Sequence, residues 1–363
     1  MSGKRVVVAM SGGVDSSTAL HMLREEGYEC IGVSMQLWDY SEKVEGKGTT
    51  GSCCSLDDIY DARAVADSLD VPFYVVNVMD AFSREVVDYF VEGYAKGLTP
   101  NPCARCNQAL KFDVLLKKAI GLGADLLATG HYARIAGTDG RPRLLKGVDR
   151  DKDQSYFLFA LGSEALDKVL FPLGSLTKAE VRRYAHEKGI KTADKKDSQE
   201  ICFVEGPAYS GFISERLKAE PGEIVDSGGR VIGTHKGLFN YTIGQRKGLR
   251  LSGGPHYVIG IDVDTNRLTV GPADSLYCEG LVAKDVNWID PEAGHHAASG
   301  RLEGVTAVIR YRHRGVESTV TPVDDRRFHV RFARAEQSVA PGQAVVFYRG
   351  DEVLGGGWIE RRA

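Results

Sequence analysis

Three groups of residues in this chain have types and spacings suited to chemistry. The first is Val6-Val7-Val8-Ala9-Met10-Ser11-Gly12-Gly13-Val14-Asp15-Ser16-Ser17, an apolar run that breaks into a glycine-rich loop and opens straight into a helical pattern. A strand, loop and helix start of this kind is an anion site, because the free amides of the first turn and the positive end of the helix dipole face whatever sits in the loop. Gly12 and Gly13 permit close backbone approach, while Ser11, Ser16 and Ser17 add hydroxyl donors. No Lys follows the glycines and the spacing is not Gly-x-Gly-x-x-Gly, which excludes the Gly-Lys-Ser/Thr nucleotide loop and the dinucleotide fingerprint.

The second group is made of thiols. Thr99-Pro100-Asn101-Pro102-Cys103-Ala104-Arg105-Cys106-Asn107 places a Cys-x-x-Cys pair just ahead of a helix expected to start near Gln108, where a thiol loses its proton most easily. A third cysteine, Cys202, ends the polar loop Lys195-Lys196-Asp197-Ser198-Gln199-Glu200-Ile201-Cys202-Phe203 and strengthens the case for redox or metal chemistry. Cys53-Cys54 lack chelating spacing, and Cys30 and Cys278 read as core or surface singletons. Seven cysteines without a secretory signal are thiols, redox groups or metal ligands rather than a disulfide framework.

The third group is basic. Residues 301–334 hold eight Arg against Glu303, Glu317, Asp324 and Asp325, a local +4 in a chain whose net charge is −3. Arg310-Tyr311-Arg312-His313-Arg314 combines guanidinium forks with an aromatic ring, which suits phosphate grip and base stacking, although a charge run by itself is usually a solvated face.

The elements that must position these groups follow from periodicity. At 363 residues, 43% hydrophobic and 26% charged, the chain is an ordinary globular protein with room for two or three domains. No apolar run approaches the roughly 20 residues that span a bilayer, so no membrane partner and a cytoplasmic location are expected. A helix over 16–26 ended by Gly27, strands over 30–36, 71–78 and 124–129, a helix N-capped at Ser55, and helices over 82–94 and 178–188 alternate as in a doubly wound parallel sheet. Ligands of such sheets lie at the carboxyl ends of the strands, which puts Met35 and the Thr129-Gly130-His131 corner at the crevice of the glycine loop. The alternation stops near Gly206-Pro207. Short β runs with glycine turns follow from Gly222, including the patterned segment Gly233 to Leu249, and from Leu281 six β runs suggest a small closed barrel. The expected organisation is an α/β domain over 1–205 carrying the cysteines, a small central mostly-β domain over 206–278, and a C-terminal β-barrel over 279–363.

Six strings then coincide: Ser-Gly-Gly-Val-Asp-Ser-Ser, Asn-Pro-x-x-x-Cys-Asn, Gly130-His131-Tyr132, Lys152-Asp153-Gln154-Ser155-Tyr156, Asp197 to Phe203, and Tyr241-Thr-Ile-Gly-Gln-Arg-Lys-Gly248. The first resembles the loop of the ATP pyrophosphatases, and the set in this order resembles the bacterial tRNA-specific 2-thiouridylases, PP-loop enzymes that thiolate the wobble uridine. That resemblance implies that Ala9, Met10, Ser11, Gly12, Gly13, Val14, Asp15, Ser16, Met35 and Gly130 hold ATP with Mg²⁺, and that Asn101, Pro102 and Cys103 frame the target base. It implies Cys106 as catalytic nucleophile and Cys202 as persulfide carrier, supplied by a sulfur-relay protein or other donor. Lys152, Asp153, Gln154, Arg310 and Tyr311 are implied to touch tRNA, with the central domain contributing, and His131 and Gln343 to approach it. The chain departs from a common family pattern at Cys103, where many members carry Asp. Cys103, Cys106 and Cys202 could then ligate a [4Fe-4S] cluster with an open iron, whereas in the rival reading Cys106 and Cys202 cycle through persulfide and disulfide without metal. Two other classes share parts of the pattern: a PP-loop amide ligase, which needs no cysteine trio, and a non-catalytic RNA-binding protein with a structural metal.

Overall fold

The computed structural model describes residues 3–39, 55–137, 141–197, 201–204 and 209–363. Cys53, Cys54, Ser198 to Glu200 and the Gly206-Pro207 boundary lie outside the described residues. The chain forms two compact units: Met1–Val86 with Cys103–Pro207 and Asp351–Val353, and Val87–Pro102 with Ala208–Gly350 and Leu354–Ala363.

In the first unit, strands β1 (Arg5–Ala9), β2 (Glu29–Gln36), β3 (Phe73–Asn77) and β4 (Leu126–Thr129) are followed by the hairpin β5 (Ala133–Ala136) and β6 (Arg143–Lys146) and by β7 (Val169–Leu170). The main sheet runs β3-β2-β1-β4-β7 with every pairing parallel. Such a sheet is covered on both faces, and Val6, Val7 and Val8 are accordingly fully buried. The order reverses between β1 and β4, which makes their carboxyl ends the crevice where a doubly wound sheet binds ligand. Helix α1 (Val14–Glu25) leaves β1 through the glycine loop, and Leu20 and Leu23 join Val6 and Val8 in the core. Helix α2 (Leu56–Ser68) opens with the expected cap: Asp58 N donates to Ser55 Oγ at 3.1 Å and Ser55 N donates to Asp58 Oδ2 at 2.9 Å.

One expectation is corrected. The helix placed near Gln108 begins at Pro102, so Cys103 and Cys106 stand inside its first turns, Pro102–Cys106, and not ahead of them. Proline fits the first helical position because its missing N–H would have no partner there. The helix continues as a π-helical stretch, Asn107–Leu115, and a second π-helical stretch, Ser83–Asp88, interrupts the helix expected over 82–94.

In the second unit, β8 (Gly222–Val225), β9 (Val231–His235), β10 (Tyr257–Asp262) and β11 (Arg267–Gly271) make a sheet in the order β10-β11-β8-β9, filled by Ile224, Val258, Leu268 and Val270 with Tyr241 and Leu249. The six later runs are β12 (Tyr277–Trp288), β13 (Leu302–Val308), β14 (Val316–Pro322), β15 (Arg327–Gln337), β16 (Ala344–Arg349) and β17 (Glu352–Arg362). They follow the order β12-β15-β14-β13-β16-β17 and close through β12 and β17 around Leu281, Val305, Val330 and Phe347. Closure removes the exposed edges that an open antiparallel sheet would leave.

Candidate active site and basic surface

The glycine loop connects Ala9, the last residue of β1, to Val14 at the start of α1. Gly12 has φ +71°, and a Cβ there would lie 2.1 Å from the carbonyl oxygen of Asp58. Gly130, just beyond β4, packs so tightly on the loop that a Cβ would lie 2.8 Å from Asp15 C and Ser16 N. Ser11 N donates to Ser16 Oγ at 3.1 Å, which fixes the loop's curvature. Met10 and Val14 are buried beneath the loop, as is Met35 near the end of β2, whose neighbour Ser34 donates to Met10 O at 2.7 Å. The structure therefore brings the loop, Met35 and Gly130 to the carboxyl ends of three adjacent strands.

A charge network lies against this loop. Tyr132 Oη donates to Asp15 Oδ1 at 2.7 Å, and Lys178 Nζ donates to both oxygens of Asp15 at 2.8 Å. Lys178, nearly buried, also stands 2.9 Å from Asp197 Oδ1. Asp197 accepts from Lys152 Nζ and from Arg182, each at 2.8 Å. Burial pushes the Asp197 carboxyl up, but the hydrogen bonds from Lys152 and Lys178 outweigh it and hold the pKa down to about 2. Burial, with Asp15 beside it, drives the Tyr132 phenol well above its ordinary range, so this hydroxyl stays a donor. Arg182 is itself fixed by donating to Ala193 O at 2.8 Å and Lys195 O at 3.1 Å.

Of the triplet Lys152-Asp153-Gln154, only Lys152 joins this network. Asp153 Oδ1 accepts from Gly147 N at 2.9 Å and Ser155 N at 3.1 Å, and Gln154 Oε1 accepts from Tyr132 N at 3.0 Å, so both shape the turn. His131 is buried between the rings of Phe112 and Phe171 and shares a 2.7 Å hydrogen bond with Thr129 Oγ1. Burial, with Lys111 adding to it, keeps its imidazole neutral. Tyr132 and Asp197 stand in two of the motifs without a role of their own, and Lys178 and Arg182 lie in none of them. One signal was present: Thr177-Lys178-Ala179-Glu180 is a capping box with a cation in the first helical turn, where the dipole disfavours it.

Among the thiols, Cys103 is exposed and Cys106 and Cys202 are half-buried. The helix of Cys103 and Cys106 is pinned by Arg105, which donates to Glu85 Oε2 at 2.5 Å and to Gln108 Oε1 at 3.1 Å, and by Asn107 Nδ2, which donates to Phe157 O at 3.2 Å. The Cys202 segment is anchored by Phe203, packed edge-on against Phe82 and beside Trp38. Burial pushes the Cys30 thiol up to about 11, in keeping with a packing role. Among the described residues no three His, Cys, Asp or Glu side chains form a group able to hold a metal ion. Cys103, Cys106 and Cys202 do not stand in such a group among the described residues.

In the second unit Asn101 is buried, and Gln343 Nε2 donates to Thr99 O at 2.9 Å and Pro100 O at 3.4 Å, buttressing that backbone. The basic segment of the barrel is more selective than its composition suggested. Arg301, Arg326, Arg327 and Arg334 pair with Glu303, Asp285, Asp324 and Glu336. Arg310, Arg312 and Arg314 have no ion pair among the described residues, Arg310 donating only to Gln337 O at 3.3 Å. Between them Tyr311 is 38% exposed, while His313 turns inward to Glu336 at 3.2 Å. The excess positive charge therefore concentrates at 310–314, beside an exposed ring. Among the described residues no helix is long and apolar enough to cross a membrane.

Comparison with known proteins gives three matches along the chain. Residues 4–206 match a family model described as a tRNA methyl transferase HUP domain, 210–272 a PRC-barrel domain of the same series, and 278–359 an aminomethyltransferase beta-barrel domain. The tRNA-specific 2-thiouridylase MnmA of Geotalea uraniireducens is 54% identical over 362 residues, 98% of this chain and 95% of the relative. That of Geobacter metallireducens is 54% identical, covering 98% and 97%, and that of Carboxydothermus hydrogenoformans is 49% identical, covering 99% and 98%. With a loop built for anions at the switch point of a parallel sheet and relatives matched from end to end, the chain belongs to the tRNA-specific 2-thiouridylase family.

Proposed function

We propose that this chain catalyses ATP-dependent 2-thiolation of the wobble uridine of tRNA in the cytoplasm. The observation that carries the reading is the glycine loop at the carboxyl ends of β1 and β4, with Gly130 closed on Asp15. The loop amides and the α1 dipole hold the triphosphate while the uridine C2 oxygen attacks the α-phosphorus, and pyrophosphate leaves. Asp15 is the carboxylate that would hold Mg²⁺ bound with the triphosphate, and the ion would there neutralise the departing pyrophosphate. The C2 oxygen, once adenylated, departs as AMP.

Sulfur arrives as a persulfide on Cys202, loaded by a relay protein or another donor. The Cys106 thiolate attacks the inner sulfur, forming a Cys106–Cys202 disulfide and expelling hydrosulfide, which adds to C2 and displaces AMP. An external thiol reductant reopens the disulfide. Asn101, Pro102 and Cys103 frame the base, while Lys152 and Arg310 with Tyr311 hold the RNA. The unpaired arginines beside an exposed ring favour this reading over an amide ligase, which has no use for them.

The test is anaerobic turnover of iron-free protein given tRNA, ATP and a persulfide donor. Pyrophosphate release should depend on tRNA. Cys106→Ser and Cys202→Ser should retain that release but lose thiolation by about a thousandfold or more, while Cys103→Ala stays active. Thiolation persisting in Cys202→Ser would overturn the sulfur route, and pyrophosphate release indifferent to tRNA would overturn the substrate.

A further inference from the structure

Lys178 is shared between two carboxylates. It sits 2.8 Å from Asp15 and 2.9 Å from Asp197, and Asp197 is in turn shared with Lys152 at 2.8 Å. The four groups form a chain of alternating charge, Asp15, Lys178, Asp197, Lys152, running from the glycine loop to the turn assigned above to RNA contact. Its members are held unequally. The Lys178 side chain is 11% exposed, Asp197 21% and Lys152 38%, so the solvent-facing end is the one an outside charge can reach. Arg182 anchors Asp197 from the other side and is fixed by two carbonyls, so Asp197 stays in place when a neighbour leaves.

We propose that Asp197 is a positioning residue that couples RNA binding at Lys152 to Mg·ATP binding at Asp15, through Lys178. While Lys178 donates to both oxygens of Asp15, it neutralises that carboxylate and keeps it from a metal-bearing triphosphate. When an RNA phosphate takes Lys152, Asp197 loses one of its cations, and its field on Lys178 grows at the expense of Asp15. Lys178 shifts toward Asp197, and Asp15 is released to face the metal. The coupling is reciprocal: Mg·ATP at Asp15 sends Lys178 to Asp197 and loosens Lys152 for RNA. The proposal rests on the functional reading above and adds to it the residues that make ATP binding respond to tRNA.

The test is equilibrium binding of a non-hydrolysable ATP analogue with Mg²⁺, with and without tRNA. In the wild-type protein tRNA should raise analogue affinity roughly tenfold, within the usual range of coupling between sites. Asp197→Asn should reduce that factor below about twofold while each ligand still binds alone, and Asp197→Glu should restore part of it. Lys152→Met gives a second arm that needs no tRNA: with that cation gone, analogue affinity should rise toward the wild-type value measured with tRNA. Absence of coupling in the wild type, full coupling in Asp197→Asn, or unchanged or weakened analogue binding in Lys152→Met would each overturn the proposal. Failure of wild-type protein to bind tRNA at all would instead overturn the functional reading, and the Lys152→Met arm would still decide the relay.

Discussion

Asp197 and Arg310 stand for two uses of charge in one chain. Around Asp197, every charge is shielded and matched: three cations converge on one carboxylate, and one of them is shared with Asp15. Around Arg310, half of the arginines of the segment are matched by neighbouring acids, and those at 310, 312, 314 and 331 have no ion pair among the described residues. The shielded set is costly to disturb, because removing one partner leaves a poorly hydrated charge. The exposed set contributes little to stability, since charges in water interact weakly, but it is available to a polyanion. The same residue types thus organise a site in one place and present a surface in the other.

The strongest way to break this comparison is Asp15→Ala. Loss of the carboxylate at the glycine loop should lower tRNA-dependent pyrophosphate release by about a thousandfold, while tRNA affinity measured without nucleotide is kept or rises by up to about tenfold, the factor expected once Lys178 is free to turn to Asp197. Near-normal turnover would mean that the shielded network does not serve the loop.

A smaller effect should appear in acid. The folded pKa of Asp197 is lowered to about 2, so its contribution to stability is complete above the unfolded value near 4 and is lost as pH falls from about 4 to 2. Urea unfolding of the wild type and Asp197→Asn should differ by about 2 kcal/mol at pH 6, the gap closing toward pH 2. A gap independent of pH would remove the ion pairs as its cause.

The smallest effect sharpens the other half of the comparison. Arg310→Ala should leave stability within about 0.5 kcal/mol and reduce the slope of log tRNA affinity against log salt by about 1. An unchanged slope would make the segment a solvated face.

Several parts of this architecture were legible before the fold. The Val6–Ala9 run, the loop glycines and the Ser55 cap are local signals, written in consecutive residues, and each forms where the pattern placed it. The six β runs likewise formed the closed barrel, because alternation along each strand already sorted inside from outside. The cysteine helix starts at Pro102, some six residues before Gln108, because proline occupies its first helical position.

What the sequence determined by itself was the set of elements and the chemistry of its motifs, because periodicity, turn residues and loop composition act between near neighbours. The tertiary structure alone decided which charges meet. Lys178 lies 163 residues from Asp15 and Lys152 lies 45 from Asp197, and no local pattern encodes those pairings. Only the parallel sheet brings their elements to one side of the glycine loop. Likewise, eight arginines are alike in sequence, and only the placement of β12, β15 and the turns between strands settles which find an acid and which remain for a partner. Ion pairing is set by distance in space, and the chain acquires those distances only when its sheets close.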